Sequence, residues 1–172
     1  MDLEQRVTEL ERRLTALEAA RRPAPAVGEG VADGGGDFWA LEGLKQQLAE
    51  LGAADGGVLF TGAVRLPTGE RYDWQHGSLV EGLLSDDWPS AADAFAALGH
   101  PVRLRLLREV IGGRRTAAEL AELDEVGTTG QIYHHLRQLT GAGWLHTTGR
   151  GRYEVPPGRV VPLLVVLSAA RP

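Results

Sequence analysis

Cysteine is absent from all 172 residues. That excludes a disulfide framework, a thiolate metal site and a cysteine nucleophile. A membrane-spanning run is missing as well. The longest apolar stretch, Val160–Leu167, is interrupted by Pro162 and falls far short of the roughly 20 residues a bilayer needs. The amino-terminal residues are charged throughout and lack the apolar centre of a secretory signal. A soluble, cytoplasmic protein is the expectation. Catalytic constellations are wanting too. Ser78, Ser85, Ser90 and Ser168 lie in no nucleophile-elbow setting. Gly34-Gly35-Gly36 is followed by no Lys-Ser/Thr pair and is no phosphate loop. His134 and His135 are neighbours on a helical stretch, so they point about 100° apart and cannot chelate one metal as an i, i+4 pair would. Asp86 and Asp87 read as a turn. No catalytic residue, metal ligand or cofactor is expected, and the chain is not read as an enzyme.

An excess of positive charge is also lacking, since the net charge is −5. Its distribution matters more than its sum. Residues 1–99 carry 8 Arg/Lys against 17 Asp/Glu, whereas residues 100–160 carry 9 Arg against 6 Asp/Glu and four of the five His. A mildly basic segment on an acidic chain suits a duplex partner with salt-sensitive, modest non-specific affinity.

What is present divides the chain into four parts: 1–22, 23–36, 37–87 and 88–172. In the first, Leu3, Val7, Leu10, Leu14 and Leu17 alternate spacings of four and three. With Val7 and Leu14 at a, the leucines fall at d, glutamates at e and Arg6 and Arg13 at g, which predicts a parallel coiled-coil dimer. The competing reading is an amphipathic helix packed on its own chain. Residues 23–36, PAPAVGEGVADGGG, form a flexible linker. From 37 to 87 a helix is expected first, with Asp37 as its cap, Phe38, Leu41, Leu44, Leu48 and Leu51 as its apolar face and Gly52 as its stop. Two strand-like runs follow, Val58–Leu66 and Arg71–His76, joined by Pro67-Thr-Gly-Glu70. A short helix over Leu79–Leu84 ends the segment. At about fifty residues it is too small to stand alone and should pack on a partner or on the next domain. Its aromatics, Trp39, Phe60, Tyr72, Trp74 and Trp88, read as packing rather than as a ligand pocket.

The last part alternates short helices. Ser90 is expected to cap a helix to Leu98 with Phe95 inward. Pro101 opens a second helix to Ile111, placing Val102, Leu104, Leu106, Leu107 and Val110 inward and Arg103, Arg105 and Arg108 outward. Thr116 and Glu119 make a capping box. So do Thr128 and Gln131, at the head of TTGQIYHHLRQL. Within that run Ile132, Leu136 and Leu139 form an apolar stripe. Gly130, Tyr133, His134 and Arg137 fall opposite, a polar, aromatic and cationic side without a carboxylate. An ordinary surface helix would look similar in isolation. Two strands, Trp144–Thr147 and Arg152–Val155, flank a tip carrying Arg150, and Arg159–Ala170 closes the chain as a strongly apolar helix suited to a dimer seam.

FAALGHPVRLRLLREVIGG, TAAELAEL, TTGQIYHHLRQLTGAGWL and the GRGRYEV hairpin, in this order, resemble the ArsR-type family of bacterial winged-helix repressors over about residues 90–170. The resemblance implies a winged helix-turn-helix domain; with the α–β-hairpin segment and the coiled-coil helix read from spacing ahead of it, the chain is expected to be mainly α, of α+β class. It also implies a homodimer with the first and last helices of the domain at its interface, Leu163, Leu164 and Leu167 among them, and a double-stranded DNA operator as partner. Base-facing positions would be Thr129, Gly130, Gln131, Tyr133 and His134, with Gln131 pairing bidentately with adenine. Thr128, His135, Arg137, Arg150 and Arg152 would touch phosphate. For His135 a second reading stands beside this one, an inward brace against the neighbouring helix. Metal-sensing members carry cysteines in the third helix or His and carboxylates on the last. ELAEL and VVPLLVVLSAA have neither, so metal sensing through those sites is not expected. The added first half is where an unidentified small-molecule effector would be sought. The functional expectation is a repressor on a palindromic operator. The alternative is a nucleoid-associated architectural protein that bridges duplexes with weak sequence preference.

Overall fold

Helical and strand periods give way to one another along the chain much as the side-chain spacing predicts. The computed structural model describes residues 38–171. The heptads of residues 1–22, the linker of 23–36 and the cap at Asp37 lie outside the described residues.

Helix α1 spans Trp39–Leu51 and stops at Gly52, whose left-handed φ of 65° turns the chain while its N–H bonds the Ala49 carbonyl at 3.1 Å. Only Leu44 and Leu48 of its expected apolar face are half-buried; Phe38, Leu41 and Leu51 are exposed. Strands β1, Gly57–Arg65, and β2, Arg71–Leu79, pair antiparallel in a hairpin closed by Leu66–Glu70. The second strand runs three residues beyond expectation. Gly62 pairs with Trp74 and Val64 with Tyr72, so the period of two puts Phe60, Gly62, Val64, Tyr72 and Trp74 on one face. Helix α2, Val80–Ser85, and a 3-10 turn at Trp88–Ala91 lead to α3, Ala92–Leu98. Here the sequence reading needs correction. The Ser90 hydroxyl donates to the Asp87 carbonyl at 2.6 Å, closing the turn, and α3 begins two residues later without a side-chain cap. Phe95 is 62% exposed rather than inward.

Helix α4, Pro101–Ile111, starts as proline at its first position predicts, with His100 Nδ1 accepting from the Val102 N–H at 3.2 Å. Leu106, Leu107 and Val110 are buried. The capping box of Thr116 and Glu119 opens α5, Ala117–Ala121, and that of Thr128 and Gln131 opens α6, Thr129–Gly141. Strands β3, His146–Thr148, and β4, Arg152–Glu154, make the second hairpin. Helix α7, Pro157–Ala169, begins two residues ahead of expectation, which moves Pro162 from the first turn to the second.

One core joins these elements: Leu106, Leu120, Ile132, Leu136, Leu139 and Leu163 are fully buried, and Leu66 of the first hairpin closes the same cluster. The chain divides at Gly43 and Leu44, and everything described from Leu44 onward belongs to one compact unit, so no division falls at residue 87. The hairpin packs on α7. Gly62 lies so near Val161 that a Cβ at that position would come within 2.6 Å of its Cγ1, and Trp74 rests against Gly158. The first half of a strongly apolar helix is thus covered by the chain's own hairpin, while Leu164–Leu167 are only half-buried. Leu163 has no exposed surface and cannot be an interface residue as expected, while Leu164 and Leu167 are half-buried. Trp39 and Trp88 stand exposed. Among the described residues no helix is long and apolar enough to cross a membrane.

Candidate nucleic-acid interface

The stretch Thr128–Leu139 folds from its own local chemistry. The Thr128 hydroxyl accepts from the Gln131 N–H, and Gln131 Oε1 accepts from the Thr128 N–H at 2.7 Å, so two otherwise orphaned helix-end donors are satisfied. Ile132, Leu136 and Leu139 then turn into the core with no exposed surface. Gly130, Tyr133, His134 and Arg137 occupy about 100° of arc on the opposite side, and all four are exposed. No carboxylate occurs anywhere in α6. Arg137 makes no ion pair among the described residues and is free to meet an anion. A Cβ on Gly130 would find only the Thr128 hydroxyl, at 4.0 Å, so nothing within the described chain demands a glycine there. Its effect is to leave backbone bare at the centre of the outward face.

Two placements revise the sequence reading. Gln131 is exposed, yet its carbonyl oxygen is already used by the Thr128 N–H and lies 3.2 Å from the Thr128 hydroxyl. A bidentate adenine contact needs that oxygen and the amide together, so it would require the cap to open. His135 is half-buried, its ring 4.7 Å from that of His100, and its buried Nδ1 has no hydrogen-bond partner among the described residues. Of the two readings left open, the inward brace is the one the geometry takes. Burial holds the His135 imidazole below the ordinary histidine range, with the charges of His100, Arg103 and His134 acting the same way.

Behind α6 sits a device the spacing did not show. Arg103, expected outward, folds back. Its Nε donates to the Ala97 carbonyl and its Nη2 to the Ala96 carbonyl, each at 2.6 Å, and its Nη1 donates to Gln138 Oε1. One guanidinium therefore ties the end of α3 to the last turn of α6. Trp144 reinforces the arrangement by donating its indole N–H to the Ala94 carbonyl at 2.9 Å.

The β3–β4 hairpin is fixed from below. Tyr153 N–H donates to the Arg115 carbonyl at 2.6 Å, and Thr116 bridges Arg152. The Arg115 side chain reaches Glu154 at 2.9 Å with one nitrogen and Glu70, in the first hairpin's turn, with the other. A hydrogen bond from Thr68 and the Arg115 guanidinium hold the Glu70 carboxyl below its usual range, so the bridge stays charged. Arg152 is exposed at the start of β4, and Arg150 belongs to the 3-10 turn Gly149–Gly151 at the hairpin tip. The chain thus places Gly130, Tyr133, His134 and Arg137 on one surface of α6, leaves Thr128 and Thr129 exposed at its start, and carries Arg152 on a separate, braced hairpin. The positioning residues Arg103, Arg115 and Gln138 were not singled out from sequence. Only the adjacency of Arg115 to the Thr116 cap hinted at any of them.

A family model described as a helix-turn-helix domain matches residues 98–147, which run from the end of α3 through β3. No curated protein matches the chain. The match and the element order agree: α4, α5 and α6 followed by a two-stranded hairpin and a closing helix constitute a winged helix-turn-helix fold. The matched segment carries a helix-turn-helix domain, a DNA-binding class, and the β3–β4 hairpin, which runs past the matched residues, stands where the wing of that fold stands.

Proposed function

We propose that the chain is a homodimeric transcription regulator of repressor type, which sets the outward side of α6 into the major groove and the wing on the flanking backbone. The observation that carries this reading is the asymmetry of α6. One side is fully consumed by the core, and the other is exposed, carboxylate-free and furnished with Tyr133, His134, Arg137 and a bare Gly130. Arg137, Arg152 and Arg150 are assigned to phosphate. Thr129, Tyr133 and His134 are assigned to base edges, and Thr128 keeps its role as the cap. Pairing of protomers is assigned to the heptads of residues 1–22, whose a and d spacing suits two helices, since the first hairpin takes the Val161 side of α7.

A second reading has an observation in its favour. With the Gln131 oxygen committed to the cap, the outward face keeps few groups able to read bases, which suits an architectural protein of weak sequence preference. One experiment separates the two: selection of bound duplexes from a random library by the full chain, repeated at several salt concentrations. A symmetric enriched motif is expected. Uniform enrichment with a steep salt dependence would favour the architectural reading. Alanine at Tyr133, Arg137 and Arg150 together should abolish capture of the selected duplex, and unchanged capture would refute the assignment of α6.

A further inference from the structure

Between α4 and α7 the surface sinks into a groove of about 460 Å³ that none of the residues assigned to DNA lines. Its size falls within the range of small-ligand sites, about 300–1,000 Å³. Leu104 and Ile111 line it from α4 and Leu164 and Leu167 from α7, with the buried Leu107 and Leu163 beneath them as its floor. The remaining lining residues are Arg105 and Arg108, one helical turn apart and therefore neighbours on the same face of α4. Among the described residues no acidic side chain lines the groove. Arg108 has no ion-pair partner among the described residues, and Arg105 has only a 4.0 Å approach to Glu125, whose side chain is 90% exposed. An all-aliphatic trough edged by two guanidiniums, neither held in a close ion pair among the described residues, is complementary to an apolar body with an anionic head.

We propose that this groove binds an amphipathic organic anion, a carboxylate of medium chain length being the simplest case, with its chain along the leucines and its carboxylate at Arg105 and Arg108. A second copy of the chain fits the site less well. An isologous pairing through this face sets concavity against concavity and each arginine pair against its own image. Binding itself does not rest on the DNA reading. A regulatory consequence does rest on it, because α4 also carries Arg103 and follows His100, the two groups that hold α6 through Gln138 and His135. A chain wedged between α4 and α7 acts on the same helix that aims α6.

The test is titration calorimetry on the full chain with decanoate, decan-1-ol and acetate, below micellar concentrations. Saturable binding of decanoate, weaker binding of decanol and none of acetate are expected. Loss of the charge-assisted contacts in an Arg105→Gln, Arg108→Gln variant should weaken decanoate by about tenfold or more and leave decanol nearly unchanged. Leu167→Trp should fill the trough and remove both ligands. Circular dichroism controls for folding, and if the tryptophan variant does not fold, the surface arginine variant still decides the matter. Non-saturable uptake, or decanoate affinity indifferent to the arginines, overturns the proposal. So does a change of oligomeric mass in either variant, which would make the groove an interface between copies. DNA capture by the same preparations, with and without decanoate, is scored separately. A ligand that binds but leaves capture unchanged removes the regulatory coupling and leaves the site.

Discussion

Gly130 separates what the fold needs from what the surface is for. A side chain there meets open space, so Gly130→Ala should stabilise the helix by about 0.5–1 kcal/mol through reduced backbone freedom in the unfolded chain. If α6 lies against a duplex, the added methyl stands between backbone and base edge, and affinity for the selected duplex should fall. Urea denaturation and a binding isotherm on the same preparation test the divergence. Improved stability with unaltered DNA affinity would show that the bare backbone is not an approach surface. His135 makes the complementary case, a residue on the reading helix that serves the interior. Its folded-state pKa is depressed, chiefly by burial, so the unfolded chain binds the proton more readily. Stability is then lost as pH falls through the ordinary imidazole value of 6.5, and the loss levels off once the folded form is protonated too. Glu70 and Glu119 are also depressed, by hydrogen bonds from Thr68 and from the Thr116 backbone, but their contribution fades only below the ordinary carboxylate value of 4.5. Denaturation midpoints between pH 7.5 and 5.5 should therefore decline in the parent chain and decline less in His135→Phe. Equal slopes would remove His135 as the titrating group.

The first hairpin and α7 are the pair of elements on which sequence and structure part most. A Gly62→Ala methyl has nowhere to go except into Val161, so overpacking should cost about 1–3 kcal/mol despite the better strand propensity of alanine. Val161→Ala removes the opposing methyls. The double variant should be more stable than the sum of the two single losses predicts, by about 0.5 kcal/mol or more, whereas strict additivity would mean the two positions do not touch. The contact also shows where legibility ended. Both capping boxes, the Pro101 start and the apolar stripe of α6 follow from residues within four positions of one another, and they stand where the spacing put them. The fate of α7 depends on a face some hundred residues earlier in the chain. A helix apolar on all sides says only that it is covered, not by what, so Leu163 was given to a partner when its own core held it. Arg103 was misplaced for a related reason. Helical period put it outward, and only the folded neighbourhood reveals carbonyls at Ala96 and Ala97 within its reach. Ser90 lost its capping role to a turn at Asp87, a choice between two short-range hydrogen bonds that composition does not decide.

Across the whole molecule, charge and valency pull in opposite directions, and their competition gives the sharpest test of the dimer assignment. Residues 1–37 hold 8 Asp/Glu against 5 Arg, so a chain lacking them is less acidic and on electrostatic grounds alone should bind a polyanion slightly better. If those residues pair two protomers, however, their removal turns a two-site attachment into a one-site attachment. That loses the effective concentration of the second winged helix, worth about 10²-fold or more in affinity for a symmetric duplex. The salt dependence distinguishes the two effects, because its slope reports the number of phosphates neutralised per bound species. A dimer engaging two half-sites should show about twice the slope of the shortened chain. The compact unit from Leu44 onward keeps its core in that variant, so its unfolding transition should persist and serve as the control. Reduced affinity with a halved slope would place pairing in the heptads. Unreduced affinity with an unchanged slope would take pairing out of the heptads, and the mass of the shortened chain in solution would then decide: a single chain would end the homodimer and the palindromic operator with it, and a pair would move the interface to the compact unit from Leu44 onward.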